Sequence, residues 1–475
     1  MQAAYHDAAA TTRLNERHWS HAQGGNINRL VNADLATLRR RARYEILNNS
    51  YGAGIADTLA MDLVGSGPRP QLDSGNEAFD QECEELFMIW SQTCDYDGQC
   101  DLAELLQMQL AHQPCEAGES ITLLKTDTAV RRGVRLRLLA VDIDRLGGST
   151  YDTGTQDGIT FNAEGRPVVY HVAKHHPNSG TATLETDAIA AADVIHFYRK
   201  KRPGQTRGIP WYAPCLELFA QMRRFTLATL DAAETAADVA GLLEAHGVEP
   251  DPDVESMDVL DLERKALLVA PSGYTMNQMK AEHPATTYAM FKGEILNEIA
   301  RCVMMPYNVA AMNSARYNYA SGRLDHQKYH RFIETLRALA AAKVLRRIFA
   351  AWVEEAFLRN LFTTRPSFEQ VVRSIETLRW FWPGFKHVDP VREANAEKTR
   401  LIDTGTLTLE DCVAEQGKDW KRMLEQTAKE KAFKRELEDK YNLSPGTLDP
   451  TSAGGLTPQE RDDDDTPQPN AQTDD

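Results

Sequence analysis

The sequence predicts a predominantly helical α+β protein. Three observations carry that reading: apolar residues recur at helical spacing over most of the chain, the apolar period drops to two between Ile121 and Phe197, and one helical pattern runs from Ser321 to Leu361. Residues 1 to 31 have no periodic apolar pattern and read as an arm. From Asn32, Leu35, Leu38, Ala42 and Ile46, then Ile55, Leu59 and Leu63, predict two helices with Gly52 and Gly54 interrupting. Residues 77 to 113 look helical around Phe79, Leu86, Trp90, Leu102 and Leu106. The runs "ITLLK", "VRLRLLAVDI", "VVYHVA" and "VIHFY", divided by Gly, Asp and Asn clusters, predict short strands.

After "RKKRPGQTRGIPWYAPC" a helix is expected from about Pro214, at a first-turn position, to about Ala240. Its apolar face begins with Leu218, Met222 and Phe225 and turns to alanine beyond Leu230, which favours close helix packing. Asp231, Glu234 and Asp238 form one acidic stripe at i, i+3 and i+7, either a solvated face or a wall that repels phosphate. Residues 247 to 284 are charged and punctuated by proline, a small excursion. Tyr288, Phe291, Ile295, Ile299 and Cys302 then mark a second helix that Pro306 should end. With Ser321 as N-cap and Asp325 in the first turn, the helix to Leu361 would span roughly 60 Å at about 1.5 Å per residue. Short helices follow through "TLEDCVAEQGKDWKRMLEQTAKEKAFKRELEDKY", and from Ser444 the Pro-, Thr- and Asp-rich tail is expected to be disordered. No internal repeat is found.

At 475 residues with 42% hydrophobic content, the chain can fill the cores of several domains. No stretch is apolar enough to span a membrane, since "VLRRIFAAWVEEAFL" carries two arginines and two glutamates. The first residues hold neither a secretory nor a transit signal pattern, so synthesis in a cytoplasm is the default. The net charge of −16 argues against tight phosphate binding, which rests on lysine and arginine displacing counterions. Seven cysteines suit reduced thiols; Cys83, Cys94, Cys100 and Cys115 with His112 invite a zinc reading, but no C-x-x-C knuckle occurs.

The phosphate-loop, dinucleotide-loop, nucleophile-elbow and H-E-x-x-H patterns are all missing, which argues against the common nucleotide-hydrolysis and hydrolase mechanisms. His326 and His330 share a helix face without a carboxylate at a matching offset and read as packed or solvated. "CDYDGQCD" and His175-His176 read as turns, not as calcium or metal sites. One stretch stands apart: "NVAAMNSARYNYASGRLDHQ" places Asn308, Asn313, Ser314, Tyr317, Asn318, Tyr319 and Ser321 between two helices, with Arg316 as its only charge from Pro306 to Gly322.

The element order, together with "RRRARYEILNNSYGAGIADTLAMDLVGSG", "RKKRPGQTRGIPW", "FKGEILNEIARCVMMPYNVAA", "YNYASGRLDHQ" and "WFWPGFKHVDPVREANAEK", resembles the lambda-type family of tailed-phage portal proteins over residues 30 to 440. The resemblance implies a homo-oligomeric ring, usually a dodecamer, at one capsid vertex of the virion, through which double-stranded DNA is packaged and ejected. It implies no enzyme activity, cofactor or metal. The partners it implies are the terminase large subunit, major capsid and scaffold proteins, and a head-completion or adaptor protein, with no membrane. By position, residues 1–31 would be an arm, 32–208 and 321–388 the wing with its long helix, and 209–241 and 285–305 two stem helices. Residues 242–284 would be the clip, 389–443 the crown and 444–475 an acidic tail. Residues 306–322 would be the tunnel loop facing DNA, where Asn, Ser and Tyr touch phosphate without gripping it, and Arg316 is aimed at phosphate or paired within the ring. Two competing readings are another, usually much shorter, phage connector and a metal-dependent nuclease using the cysteine and histidine cluster.

Overall fold

The computed structural model describes residues 12–13, 16–20, 22, 24–147, 154–179, 185–238, 242–245, 274–277, 285–315, 317–385, 398–405, 408–415, 420–444 and 446–448. The chain divides into two compact units, Met1–Phe385 and Lys386–Asp475. Helices with antiparallel sheets make it an α+β protein, predominantly helical as expected.

The first unit opens with α1 (Ile27–Asn48) and α2 (Ser50–Leu63). The helical pattern therefore begins five residues earlier than the sequence reading placed it, because Asn26 caps α1 by accepting from the Asn28 N–H. The break between the helices lies at Asn49, not at the glycines: its backbone N–H closes α1 on Glu45 O, and its side chain accepts from the Tyr51 and Gly52 N–H groups. Gly52 sits inside α2, where a Cβ would lie 2.6 Å from Glu45 O and its own carbonyl accepts from the Tyr212 hydroxyl. The glycine serves close approach rather than interruption.

β1 (Arg69–Gln71) and α3 (Glu77–Ser91) follow. The predicted helical region to residue 113 is divided by the segment 92–101, where Asp95 Oδ2 accepts from the Gln99 and Cys100 N–H groups. "CDYDGQCD" is thus the turn that was expected. A capping box between Asp101 and Glu104 opens α4 (Leu102–Gln107), and a π-helical turn, Met108–His112, joins it to α5 (Gln113–Ala117). Gly118, at φ +85°, packs so tightly on Ile209 that a Cβ would overlap its backbone.

The period-two region forms two antiparallel sheets. One has the order β3-β2-β8, from β2 (Glu119–Thr126), β3 (Leu136–Val141) and β8 (Val194–Tyr198), with Ile121 paired to Val141 on one side and His196 on the other. The other runs β4 (Thr155–Gln156), β5 (Ile159–Phe161), β6 (Pro167–Ala173) and β7 (Thr186–Ala190) in order. Ile121, Leu123, Val141, Ile159, Tyr170 and Val172 close a small core of their own.

α6 (Leu216–Asp238) is preceded by a 3₁₀ turn, Ala213–Cys215, that holds Pro214. β9 (Leu242–Ala245) and β10 (Tyr274–Asn277) pair antiparallel; the rest of the predicted excursion lies outside the described residues. α7 (Ala285–Arg301) runs back along α6, with Phe225 stacked on Tyr288 at 5.6 Å and tilted against Phe291 at 4.3 Å. α7 ends five residues before Pro306. Met304, at φ +58°, turns the chain so that the Met305 N–H returns to Ala300 O, and no proline is needed to stop the helix.

α8 (Tyr307–Ala310) is a single turn; α9 (Tyr319–Ala340), a π-helical stretch (Ala341–Leu345) and α10 (Arg346–Leu358) make one continuous rod. The rod starts two residues before the expected cap, because Asn318 is the N-cap and Ser321 its third-position partner in a capping box. Phe87, Trp90, Phe349 and Trp352 form the aromatic centre of the main core, with Phe87 edge-on to Trp352 at 5.2 Å. α11 (Phe368–Thr377) and β11 (Arg379–Phe381), which pairs with β1, complete the unit. In the second unit, helices Leu409–Glu415 and Trp420–Lys440 pack together, and buried Glu438 accepts from the Leu448 N–H at 3.0 Å. The tail beyond Leu448 and residues 386–397 lie outside the described residues.

Candidate functional site

The segment between α7 and α9 carries more local structure than its composition suggests. Asn308, on α8, is half-buried, and its side-chain amide meets His326 Nε2 on α9 at 3.0 Å. The Asn313 N–H returns to Asn308 O at 3.0 Å, and its side chain accepts from the Ala315 N–H at 3.0 Å, closing an Asx turn. Tyr317 is half-buried; burial, then the Asp325 carboxylate, pushes its phenol pKa up. Asn318 Oδ1 accepts from the Ser321 N–H at 2.8 Å, and Ser321 Oγ accepts from the Asn318 N–H at 3.3 Å. Residues 312–315, with Ser314 among them, are exposed. The segment is a helical turn, an exposed four-residue tip and a capping box. Arg316 and the side chain of Tyr319 lie outside the described residues.

The remaining candidates fall elsewhere. Asp231 and Glu234 are exposed on α6; Asp238 is in its last turn, with its side chain outside the described residues. α6 and α7 are anchored at one end in the main core through Leu216, Phe219, Met222, Ile295 and Ile299. Further along, Leu227 and Leu230 are each 52% exposed, Met290 is 56% and Phe291 42%.

His326 and His330 are both packed, the latter stacked on Phe385 at 3.8 Å. Cys83, Cys94 and Cys115 are buried and Cys100 half-buried; burial pushes the Cys94 thiol up to about 12. They do not converge with His112, which lies 3.8 Å from Asp57. Among the described residues, the group with metal-ligand spacing is Asp142, Asp144 and His176. A cation already occupies it, since Arg43 pairs with both aspartates and Arg39 reaches Asp144 at 3.4 Å.

One cluster had no signal in the sequence. The fully buried Glu119 carboxylate receives Arg39, Arg207 Nε at 2.7 Å, His196 Nε2 at 2.8 Å and the Gly208 N–H at 2.8 Å. Burial alone would raise its pKa, but Arg207, His196 and Arg39 outweigh burial and hold the carboxyl well below its usual range. The partners are 77 to 89 residues away in the chain, so no local pattern reveals them.

A family model described as phage portal protein, lambda family, matches residues 13–337. The chain belongs to the lambda family of phage portal proteins. It is 24% identical over 488 residues to a probable portal protein of Halomonas phage phiHAP-1, covering 98% of this chain and 92% of that protein. It is 22% identical over 449 residues to portal protein B of Escherichia phage lambda, covering 83% of each. Among solved structures it is similar to a chain in the neck of a native gene transfer agent particle computed with C12 symmetry, with TM-score 0.47 and 14% identity over 79% of this chain and 91% of that one. An HK97-family portal protein from Corynebacterium diphtheriae is more distant, at TM-score 0.28 and 12% identity over 63% and 85% of the two chains. The family read from the sequence is borne out, and with it the portal's place in the phage head. No helix among the described residues is long and apolar enough to cross a membrane.

Proposed function

We propose that this portal chain closes into a ring of about a dozen copies at one capsid vertex and that double-stranded DNA passes through the ring during packaging and ejection. The carrying observation is the α6–α7 pair. Each helix is buried at one end and exposes leucine, methionine and phenylalanine further along, which a lone chain leaves in water and a neighbouring copy in a closed ring would cover. Residues 209–241 and 285–305 then serve as stem, 242–284 as clip, 32–208 with 321–388 as wing, and 389–443 as crown.

The tip between α8 and α9 faces the DNA in this reading. Asn313 and Ser314 are exposed there without charge, so contact with a moving duplex adds no ionic attachment. Asp231 and Glu234 on α6 add negative charge to a wall that repels phosphate. The ring does no chemistry: the sequence lacks nucleotide-binding motifs, and the aspartates with ligand spacing are held by arginine. Energy comes from a docked terminase, and capsid, scaffold and head-completion proteins bind the outer surfaces.

Native mass spectrometry and electron-microscopic class averages of the purified protein test this. Rings of eleven to thirteen copies with an axial hole are expected. A population of monomers and dimers alone under mild conditions overturns the reading.

A further inference from the structure

In the first unit Arg39, Arg43, Arg207, Arg223 and Arg359 each meet a carboxylate, while Arg137, Arg145 and Arg347 donate to backbone carbonyls instead. One run of consecutive cations also lacks carboxylate partners. Arg199, Lys200, Lys201 and Arg202 follow β8 directly, and Lys343 reaches them from the π-helical stretch of the long rod. None of the five has an ion pair with a carboxylate among the described residues. Each of three is fixed instead by neutral groups. Arg199 lies 5.3 Å from the Trp211 ring and 5.2 Å from the Phe332 ring, Lys343 Nζ donates to Tyr198 O at 3.2 Å, and Arg202 Nη2 donates to Gly25 O at 3.4 Å. Burial lowers the Arg199 pKa with no acid to oppose it, and burial and then the Lys200 charge lower that of Lys343. Lys200 and Lys343 are close enough for their charges to oppose each other, in a chain whose net charge is −16.

The backbone beneath them is held firmly. Gln205 Oε1 accepts from the Lys201 and Arg202 N–H groups at 2.8 and 3.4 Å, and Gln205 Nε2 donates to Arg207 O at 2.7 Å. Arg207 and the Gly208 N–H are in turn bound to buried Glu119. A cation cluster without acids among the described residues, on a preorganised backbone and flanked by aromatic rings, has the chemistry of a surface that takes phosphate.

We infer that Arg199, Lys200, Lys201, Arg202 and Lys343 form a docking surface for the phosphate backbone of double-stranded DNA. The choice of DNA over another polyanion rests on the portal function proposed above. The surface grips without reading sequence, and it complements the uncharged tip, which touches without gripping.

Binding of a fluorescent 30-base-pair duplex to the purified full chain, titrated from 50 to 200 mM salt, tests this. The variant Lys200→Gln/Lys201→Gln is compared with Lys328→Gln/Lys431→Gln, which changes net charge equally at exposed positions elsewhere. The first is expected to flatten the log–log salt dependence by about two units, at roughly 0.9 per lost phosphate contact, and the second to leave it unchanged. Equal effects from both variants, or no duplex binding by the parent at 50 mM salt, overturn the inference. So does polyglutamate that competes as well as DNA charge for charge and loses its competition in the first variant, which makes the surface a site for acidic protein. Native mass spectra of the same samples report the ring separately, so loss of rings with retained binding counts against the proposed function and not against this surface.

Discussion

Asn318→Lys separates the charge of the segment proposed to face DNA from its architecture. The Asn318 side chain accepts one first-turn N–H of the long rod at 2.8 Å, and the reciprocal bond, which Ser321 Oγ accepts from the Asn318 N–H, is 3.3 Å and exposed. Losing a cap of this kind costs about 1 kcal/mol, with the longer exposed bond adding little. That converts to roughly fivefold faster hydrogen exchange at the first-turn amides, since about 1.4 kcal/mol is tenfold. Asn318→Asp keeps the acceptor and favours the positive helix end, so its exchange should match the parent. Asn313→Lys loses only an exposed Asx turn and should leave α9 unchanged. In a packaging assay both lysine variants add the same charge, so both should slow DNA movement. Raising salt should restore Asn313→Lys fully and Asn318→Lys in part, because screening removes phosphate attraction and does not rebuild a cap. If Asn318→Lys exchanged like Asn318→Asp, or recovered in salt as completely as Asn313→Lys, the capping argument would be wrong.

Two further outcomes follow from titrating groups. Glu82 accepts from the backbone N–H and hydroxyl of both Thr363 and Thr364, at 2.6 to 3.0 Å. Burial alone would raise its pKa, but these donors outweigh it and lower the carboxyl to about 2. The clamp is therefore complete above the unfolded value of about 4.3 and lost as pH falls toward 2; exchange at residues 363 and 364 should rise over that window, and Glu82→Gln should abolish the pH dependence. Among the thiols, the Cys215 hydrogen bond and then Lys201 lower Cys302, while burial raises Cys83, Cys94 and Cys115. Iodoacetamide at neutral pH should alkylate Cys302 before those three, as read by peptide mass spectrometry; preferential labelling of Cys115 would contradict the packing described.

The parts of this portal legible in the sequence are those with a local cause. The period-two runs became β2, β3, β6 and β8, and the apolar stripes gave α6 and α7 to within a few residues at their described ends. Where the reading slipped, two local signals competed. Asn49 and Gly52 both mark a helix break, and the one that offers a side-chain acceptor won, while the glycine was kept for its contact with Glu45 O. Asn318 and Ser321 are both capping residues; the capping box uses both, so composition alone could not say which stands first. The Asn308–His326 contact joins residues 18 apart across a turn whose path no spacing rule specifies.

The Glu119 cluster shows why the remainder was illegible and what it does for the molecule. Its groups come from α1, β2, β8 and the loop after Arg202, and only the folded chain brings them together. Removing one partner from such a buried group leaves an uncompensated charge and costs roughly 3–5 kcal/mol, whereas an exposed pair contributes about 0–1 kcal/mol. The "RKKR" run was visible as composition but not as a surface, because its meaning depends on what lies beneath it and on Lys343, more than 140 residues away. Glu119 fixes Arg207 and Gly208, Gln205 fixes the backbone of Lys201 and Arg202, and the exposed cations are thereby presented without acids of their own among the described residues. A buried ion cluster that would be a poor choice for stability alone makes sense as the footing of the charged surface proposed above, whose cations need a fixed backbone.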